Sequence, residues 1–505
     1  MKLTKLMASA ILLFSIPYAS ADRLVIMHTN DVHGNVRPDR PKDRGGMLRA
    51  KVAIDSIRRA EEHTLLLDAG DDVQGRLYFT LFGGRVEYEM MNRMGYEITT
   101  IGNHEFDNGL DSLQRNYSIL KAAVVNANYD FSGTPLEGRI QPYAIREYDG
   151  KRIAVIGVGA SPEGLIVDKN FEGVGYKHPY RIADNIAARL KANRQADYAI
   201  VLSHIGYSAD TPSLPCDTAM AKATSHIDLI IGGHSHTEID PQKGNIKHIF
   251  TNAAGKQVLV AQTGSQGASI GKITVDLDNP ERIPDYELIP VDNRYDSRID
   301  PETELWLKPY DTAVDALMQQ FLIPSDDEMP HGSQELNNWV ADMLFEAGSN
   351  LTKHKIDAAI TNSGGIRRPL PKGQVSYGNV MTIVPFENSV LVVEMDGKNL
   401  QSCLDEVVAT GGQAVSKQLS FAADKGKAAD VRINGKPLDP NATYRIATID
   451  FVANGGDHLA SFRNAKIIAK SDSFMKMDFI NLLKKKAQKG EKIKADKTER
   501  IYHKN

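Results

Sequence analysis

The first half of the chain repeats one local pattern, in which a short apolar run is followed by a turn rich in Gly, Asp, Asn or His and then by a helical stretch. Strands that alternate with helices in this way predict an α/β domain whose strands are buried under helices. No repeat with a period of about 20 to 50 residues is visible, which excludes a solenoid or propeller. The strand-like runs are Leu24 to Met27, Thr64 to Leu67, Ile98 to Ile101, Ile153 to Val158, Ala199 to Leu202, Leu229 to Ile231 and Val258 to Val260.

The pattern changes after about residue 280, where polar and charged residues lead into a helix-like stretch around Leu305 to Phe321 that Pro324 closes. We interpret this stretch as a linker helix, because the remainder of the chain has helices and strands of its own. The predicted elements there are a helix at Leu336 to Ala347, strands at Ala358 to Thr361, Val390 to Met395 and Tyr444 to Thr448, and an amphipathic helix from Phe474. The expected domains are therefore 22–300 (α/β), 301–324 (linker helix) and 325–505 (a smaller α+β domain).

Composition excludes several classes of function. The 505 residues are 42% hydrophobic and 25% charged, as in soluble globular proteins, and the formal net charge of −4 gives no general attraction to nucleic-acid polymers or anionic membranes. The two cysteines, Cys216 and Cys403, are too few for a disulfide framework or a four-thiolate metal site. Any metal must therefore be held by oxygen and nitrogen ligands.

The amino terminus has the pattern of a secretory signal. Lys2 and Lys5 precede an apolar run from Leu6 to Ile16, and Pro17 and the small residues Ala19-Ser20-Ala21 follow it. We expect residues 1–21 to be removed by cleavage after Ala21. A run of about eleven apolar residues is well short of the roughly 20 that span a bilayer, so no membrane anchor is expected and the mature protein should be periplasmic or secreted.

Five of the predicted strands end in a turn that carries a potential metal ligand. In an open α/β sheet, sites form at the carboxyl ends of the strands, so these turns can converge although they are far apart in sequence. Each turn alone is a weak signal, but the five together are a strong one. The turns contain Asp31-Val32-His33, Gly70-Asp71, Gly102-Asn103-His104-Glu105, His204, and Gly232-Gly233-His234-Ser235-His236.

Carboxylates, an amide oxygen and imidazoles suit a pair of divalent cations such as zinc, manganese, iron or cobalt. Two cations roughly 3.5 to 4 Å apart need a bridging carboxylate, for which Asp71 is our choice, with Asp68 and Asp72 as competitors that spacing does not separate. The neighbouring glycines permit the tight turns that such a site needs. The other histidines, including His28, His63, His226 and His248, are expected to be structural or on the surface.

These turns resemble the five sequence blocks of the calcineurin-like metallophosphoesterases. The run Asn362-Ser363-Gly364-Gly365-Ile366-Arg367 and the run Asn454-Gly455-Gly456-Asp457 resemble signatures of the 5′-nucleotidase and UDP-sugar hydrolase family. The resemblance covers nearly the whole mature chain. It implies an N-terminal α/β/β/α sandwich, a linker helix and a smaller C-terminal domain.

The resemblance also implies roles for single residues. One metal would be held by Asp31, His33, Asp71 and His236, and the other by Asp71, Asn103, His204 and His234. A metal-bound hydroxide would then attack phosphorus, because metal binding lowers the pKa of water from about 15.7 to roughly 7. His104 would stabilise the transition state without binding a metal, and Asp107 would hold the His104 imidazole charged and oriented.

On the substrate side, Arg367 follows a predicted strand and a glycine turn, and arginine is suited to binding phosphate or carboxylate. We expect Arg367 to grip the substrate across the cleft between the domains, with Arg368 as the adjacent alternative. The resemblance adds Asn362, Gly364, Gly365 and Asp457 to the substrate-binding residues. It also implies two aromatic rings around a nucleobase, but the corresponding positions are Gln413 and Leu459; the residues left as substitutes are Phe421, Phe451, Phe462 and His458.

Three functions follow from these observations. The first is a secreted two-metal phosphohydrolase of 5′-nucleotidase type that acts in nucleotide catabolism. The second keeps this chemistry but acts on a cyclic nucleotide, a UDP-sugar or a non-nucleotide phosphomonoester. The third is a non-catalytic metal-binding surface protein, which His104 and Asp107 argue against, because metal binding alone would not require them.

Overall fold

The computed structural model describes residues 23–163, 165–166, 168–209, 214–244 and 246–503, so the predicted signal peptide lies outside the described residues. The chain divides into two compact units, with the boundary between Trp306 and Leu307. Among the described helices, none combines the length and the apolar character needed to cross a membrane.

The first unit is built around two six-stranded sheets. Its strands are β1 (Arg23–Thr29), β2 (His63–Asp68), β3 (Ile98–Thr99), β4 (Ala123–Val124), β5 (Tyr129–Asp130), β6 (Tyr143–Tyr148), β7 (Lys151–Gly159), β8 (Gly175–Tyr176), β9 (Tyr198–His204), β10 (Leu229–Ile231), β11 (Ile249–Thr251), β12 (Gln257–Ala261), β13 (Ser269–Asp276) and β14 (Asp285–Pro290). Its helices are α1 (Met47–Ala60), α2 (Leu77–Phe82), α3 (Arg85–Met94), α4 (Leu110–Ile119), α5 (Pro179–Ala192) and α6 (Asp217–Ala223), and α7 (Pro301–Gln319) contains the boundary.

The two sheets pack face to face. Their strand orders are β14-β13-β1-β2-β3-β4 and β11-β12-β10-β9-β7-β6. Side chains such as Ile26 and Leu65 from one sheet share a buried apolar core with Val155 and Ile200 from the other. Helices α5 and α6 cover the outer face of the second sheet, and α1 packs against β13 of the first. This arrangement confirms the expected α/β/β/α sandwich.

Parallel pairing brings the carboxyl ends of the central strands to the same edge. In the first sheet Thr29 pairs with Asp68 and Asp68 pairs with Thr99, at the ends of β1, β2 and β3. In the second sheet Gly159 pairs with His204, at the ends of β7 and β9. The turns that carry the candidate ligands therefore leave the sheets at neighbouring positions.

Some elements differ from the sequence prediction. The predicted strand Ile98 to Ile101 contains only Ile98–Thr99, and the antiparallel strands β6, β13 and β14 were not predicted. The edge strand β6 is mostly half-buried, so it has no continuous apolar run to identify it. Beyond α7, residues Phe321–Ser325 form a strand rather than the last turn of a linker helix.

The second unit is a mixed α+β structure. Its strands are β15 (Phe321–Ser325), β16 (Ala358–Thr361), β17 (Gly373–Ser376), β18 (Ser389–Asp396), β19 (Ala414–Val415), β20 (Leu419–Asp424), β21 (Lys427–Ile433), β22 (Lys436–Pro437), β23 (Thr443–Ile449), β24 (Lys466–Phe474) and β25 (Ile501–His503). Its helices are α8 (Gln334–Leu351), α9 (Tyr377–Ile383), α10 (Gly397–Ala409), α11 (Asp450–Ala453) and α12 (Met475–Gln488).

The central sheet of this unit has the order β19-β16-β23-β18-β24, and a four-stranded sheet has the order β22-β21-β20-β25. Helices α8 and α12 pack together, with the rings of Trp339 and Phe479 in edge contact at 6.1 Å. Strand β16 ends at Thr361, so the motif that begins at Asn362 starts where this central strand ends. The second unit thus presents its glycine-rich motif on a short turn at the end of a central strand.

The unfolding free energy should depend on pH through His28, which lies fully buried on β1 opposite Gly271. Burial lowers the pKa of His28 from 6.5 to about 3, so between these values the unfolded chain binds a proton that the folded protein does not. Stability should therefore fall as pH drops below about 6.5. By pH 5 the loss should be about 2 kcal/mol relative to a His28→Phe variant.

The measurement is urea unfolding between pH 7 and pH 5 in the presence of a chelator, so that metal release does not contribute. Wild type and His28→Phe are compared over the same pH range. Parallel curves for His28→Phe and wild type would contradict the argument.

Candidate active site

The turns after β1 and β2 are joined by main-chain hydrogen bonds. The Asp31 N–H donates to the Gly70 carbonyl at 2.9 Å, and the His33 N–H donates to the Asp71 carbonyl at 3.0 Å. These bonds continue the parallel pairing of the two strands beyond their regular ends. The four residues are therefore held in fixed positions relative to one another.

Five of the candidate ligands have left-handed backbone conformations, which are uncommon outside glycine. Such residues cost of order 1 to 3 kcal/mol each, and they cluster at functional sites where the surrounding structure holds them in place. This strain points to function at the same edge of the sandwich. The φ angles are 52° for Asp31, 49° for His33, 59° for Asp71, 76° for His234 and 52° for His236.

Position 102 requires glycine because Asp71 lies too close to its Cα atom to leave room for a Cβ atom. A Cβ atom there would lie 2.2 Å from Oδ1 of Asp71 and 2.6 Å from the Asp71 nitrogen. Any side chain at this position would push the aspartate out of place.

The first group of possible ligands contains Asp31, His33 and His236. The Nε2 atoms of His33 and His236 are 3.0 Å apart. Oδ1 of Asp31 lies 3.3 Å from Nε2 of His236 and 3.9 Å from Nε2 of His33. One carboxylate oxygen and two imidazole nitrogens therefore surround a common point, as metal ligands do.

The second group contains Asp71, His204 and His234. Nε2 of His204 is 3.1 Å from Oδ2 of Asp71, and the rings of His204 and His234 are 5.2 Å apart. Nδ1 of His204 donates to the Ala69 carbonyl at 2.6 Å, which fixes the ring and leaves Nε2 facing the group. A backbone acceptor on the far ring nitrogen is the usual support for a metal-binding histidine.

Two further observations fit a metal. Oδ1 of Asn103 is buried and has no hydrogen-bond partner among the residues that the structure describes. Asp71 belongs to the second group and also to a third one, with His33 and His104. The third group connects His33 of the first group to Asp71 of the second, which favours Asp71 as the bridging residue.

Its two sequence competitors lie in other environments. Asp68 accepts hydrogen bonds from the hydroxyl of Thr29 and the N–H of Gly70. Burial and the charge of Asp68 raise the pKa of Asp72. Within the described chain, neither Asp68 nor Asp72 belongs to a group that could hold a metal.

The protonation states suit the binding of cations. Burial lowers the pKa of His33 and of His234 to about 4, so both imidazoles are neutral near pH 7. Burial raises the pKa of Asp31 and of Asp71, but the neighbouring histidines have the larger effect, so both pKa values are lower than usual. Burial also favours the neutral forms of His204 and His236, but Asp71 and Asp31 outweigh it, so the pKa of His204 rises to about 10 and that of His236 also rises. These two imidazoles must lose a proton when a cation binds, whereas the carboxylates, His33 and His234 are already in the forms that bind metals.

His104 is placed differently from these ligands. Its Nδ1 is hydrogen-bonded to Oδ2 of Asp107 at 2.9 Å, and its backbone N–H donates to Oδ1 of Asp71. Burial favours the neutral ring, but the charge of Asp71 and the bond to Asp107 outweigh it and raise the pKa of His104 to about 9. His104 is therefore a cation at neutral pH and lies next to the metal-ligand groups.

Glu105 has a structural role that the sequence analysis missed, although it lies inside the Gly102-to-Glu105 motif. Its carboxylate accepts the backbone N–H groups of Asp71 at 3.0 Å, Asp72 at 2.9 Å and Gly102 at 2.6 Å. It thereby connects two of the ligand-bearing turns. Its position in a turn with the candidate ligand Asn103 and with His104 was the available signal, but the sequence does not show which groups it contacts.

In the second unit, the structure brings the two glycine-rich motifs together. Nδ2 of Asn362 donates to Oδ2 of Asp457 at 2.7 Å, and a Cβ at Gly364 would lie 3.1 Å from the same oxygen. Arg367 and Arg368 both have exposed side chains. The two turns thus form one surface, and the positively charged side chains of Arg367 and Arg368 follow the first turn in sequence.

Two of the aromatic substitutes that the sequence analysis named, Phe421 and Phe462, are not available for stacking, whereas Phe451 is exposed. Leu459, Phe421 and Phe462 are buried in the core of the unit, which excludes them from stacking on a ligand. Gln413 uses its side-chain oxygen to accept the N–H of Ser363 at 2.8 Å.

Exposed rings are found at Phe386, 37% exposed, and Phe451, 42% exposed. The Arg367 guanidinium carbon lies 5.4 Å from the centre of the Phe386 ring. The sequence analysis did not predict that Phe386 lies beside Arg367. Nothing in the sequence around Phe386 indicates this contact.

Comparison with known proteins agrees with this geometry. Residues 24–238 match the family of calcineurin-like phosphoesterases, and residues 322–464 match the 5′-nucleotidase C-terminal domain. The trifunctional nucleotide phosphoesterase protein YfkN of Bacillus subtilis is 28% identical over 500 residues, which are 88% of this chain and 32% of YfkN. The chain thus spans about a third of the length of that relative.

Two other proteins match over most of their length. The 5′-nucleotidase of Vibrio vulnificus is 28% identical over 476 residues, which cover 86% of this chain and 85% of that protein. The crystal structure of a 5′-nucleotidase precursor from Thermus thermophilus matches with a TM-score of 0.61 and 28% identity, over 96% of this chain and 99% of that one.

The first unit is therefore a metallophosphoesterase domain, and the protein is a metal-dependent phosphoester hydrolase. More particularly, the chain joins a calcineurin-like phosphoesterase domain to a 5′-nucleotidase C-terminal domain.

Replacing Glu105 with alanine should destabilise the protein and empty the metal site. Three buried N–H groups would lose their acceptor, and an unsatisfied buried donor costs about 1 to 3 kcal/mol. We expect a loss of at least about 3 kcal/mol in urea unfolding and a reduced metal content by elemental analysis. The exposed Asp111→Ala substitution on α4 is the control. Wild-type stability and full metal content in Glu105→Ala would show that this carboxylate does not organise the turns.

Proposed function

We propose that the protein is an exported two-metal phosphohydrolase of 5′-nucleotidase type, which releases phosphate from nucleotides. The observation that carries the proposal is the pair of ligand groups, Asp31-His33-His236 and Asp71-His204-His234, which a third group of His33, Asp71 and His104 connects. The signal-like amino terminus supports export to the periplasm or the medium. The 5′-nucleotidases among the similar proteins support the nucleotide substrate.

Asp31, His33, Asp71 and His236 would hold one cation, and Asp71, Asn103, His204 and His234 the other. Zinc, manganese, iron and cobalt all suit these oxygen and nitrogen donors. When bound, the cations would supply a nucleophile near neutral pH by lowering the pKa of water, and they would neutralise charge on the phosphoryl group.

His104 would act on the substrate itself. A protonated imidazole that faces the phosphoryl oxygens stabilises the charge that develops in the transition state. Bound cations would offset the Asp71 charge that helps to keep His104 protonated. The hydrogen bond to Asp107 would then be the main contact that holds the ring charged and oriented.

On the second unit, Arg367 and Phe386 would recognise the nucleotide. Arginine presents a fork of N–H donors to an anion, and an exposed ring offers a flat apolar face to a base. Arg368 remains the adjacent alternative for the anion, and Asn362, Gly364, Gly365 and Asp457 would form the turn beside it.

One observation favours a second candidate function. Leu459 is buried where the resemblance places a second stacking ring, so a base could be held from one side only. Weaker base selection would admit cyclic nucleotides, UDP-sugars or non-nucleotide phosphomonoesters to the same chemistry.

Removing the imidazole of His104 tests the proposed chemistry. His104→Ala should lower kcat for AMP hydrolysis by about 10² to 10⁴ while both cations stay bound, because the residue acts on the substrate. Phosphate release and elemental analysis of the same samples measure the two quantities. His63→Ala, on the amino-terminal end of β2, is the control and should behave as wild type. Loss of the metals in His104→Ala would show that this histidine is a ligand instead.

Removing the ring of Phe386 tests base recognition. Stacking of a base on an aromatic ring contributes about 1 to 3 kcal/mol, so Phe386→Ala should raise KM for AMP by roughly 5-fold or more. KM for ribose 5-phosphate, which has no base, should not change. Phe451→Ala removes the other exposed ring, and a rise in KM for AMP in that variant alone would assign the stacking to Phe451 instead. An equal rise in KM for both substrates would contradict a base-stacking role and would favour the second candidate function.

A further inference from the structure

Gln413 lies where a strand pairing ends and a substrate-binding turn begins. The short strand β19 pairs antiparallel with β16, and the last pair is Thr361 with Ala414. Beyond that pair, the N–H of Ser363 donates to the side-chain oxygen of Gln413 at 2.8 Å rather than to a main-chain carbonyl. The glutamine side chain therefore extends the strand pairing by one bond.

The other end of the Gln413 amide is held as well. Its Nε2 donates to the hydroxyl of Thr410 at 3.1 Å. Gly411 and Gly412, with φ angles of 85° and 96°, make the turn that leads from α10 to this position. The Gly412 N–H closes the turn on the Val407 carbonyl at 2.9 Å. The amide is thus held at its oxygen and at its nitrogen.

The side chain of Gln413 borders open space. Gln413 lines a cavity of about 480 Å³ in the second unit, together with Val408, Val415 and Ile501. Because open space lies beside the side chain, its two hydrogen bonds must fix its position. A side chain of the same length without the amide would be free to turn into the cavity.

The turn that Gln413 contacts leads directly to Arg367. The Ser363 carbonyl accepts the N–H of Ile366 at 3.0 Å, and the Arg367 N–H donates to the Ile383 carbonyl at 2.8 Å. Asp457 holds Asn362 on the other side of the same turn. A shift of Ser363 would therefore move the backbone from which the Arg367 side chain projects.

We propose that Gln413 is a positioning residue that fixes the Ser363 turn so that Arg367 is presented to the anionic group of the substrate. This inference rests on the proposed function, in which Arg367 binds the substrate. Gln413 thus stands at a position where the resemblance implies a stacking ring, but it forms two hydrogen bonds instead, which we call the clamp. Its effect is on binding of the anionic group and not on binding of the base.

The test compares two substitutions of similar size. Gln413→Met removes the acceptor of the Ser363 N–H, and Gln413→Glu keeps an oxygen there. Both substitutions remove the bond to the Thr410 hydroxyl, whose own proton is donated to the Glu406 and Val407 carbonyls. Gln413→Met should raise KM about 5- to 10-fold for both AMP and ribose 5-phosphate, with kcat and metal content unchanged. Gln413→Glu should stay within about 2-fold of wild type.

A double-substitution cycle identifies the group through which Gln413 acts. In an Arg367→Met background, Gln413→Met should produce no further rise in KM, because the cation that it positions is already gone. Independent, additive effects on KM would overturn the proposal. So would a fall in kcat with no change in KM.

Hydrogen exchange of the segment 362–367 gives a readout that does not need activity. Exchange should be faster in Gln413→Met and unchanged in Gln413→Glu, and equal exchange in all three proteins would overturn the clamp. If the wild type releases no phosphate from any substrate, the proposed function fails, and binding of AMP then replaces KM as the measure. Faster exchange with unchanged substrate affinity would also overturn the proposal, because the clamp would then serve no recognition.

Discussion

The burial of two carboxylates at one edge of a sandwich is the constraint on which the rest of this structure depends. Asp31 and Asp71 are almost fully buried, and their main-chain turns are bonded together, so their charges cannot separate. Charge in such a place must be compensated, because an unpaired buried ion is costly. His204, His236 and His104 compensate the carboxylates through ion pairs and hydrogen bonds. Divalent cations would compensate the carboxylate charges more completely, and the strained turns hold the ligands in the positions that bind such cations.

Much of this site could be predicted from the sequence, because its candidate ligands lie at the carboxyl ends of strands. Asp31 and His204 were recognisable since each follows an apolar run, and parallel strands bring such positions to one edge. The choice of Asp71 over Asp68 and Asp72 needed the structure. All three follow the same strand within five residues, and only side-chain direction separates them. The large sheets were predicted where their strands are fully buried and missed where a half-buried edge strand such as β6 has no periodic signal.

Contacts between distant side chains were the other limit of prediction. Glu105 looked like part of a motif, but its three backbone donors come from residues 3 to 34 positions away. Phe386 gained significance only when Arg367 was found beside it. Gln413 looked like the loss of a ring, whereas the structure gives its side chain a bond to Ser363. In each case the residue type was visible in the sequence and its partner was not.

The central claim is that two cations lie side by side at Asp71, and anomalous diffraction from crystals soaked in manganese tests it most directly. The account predicts two peaks roughly 3.5 to 4 Å apart, one on each side of the Asp71 carboxylate. One of them should be next to His33 and the other next to His204. A single peak, or two peaks that do not share Asp71, would contradict the account.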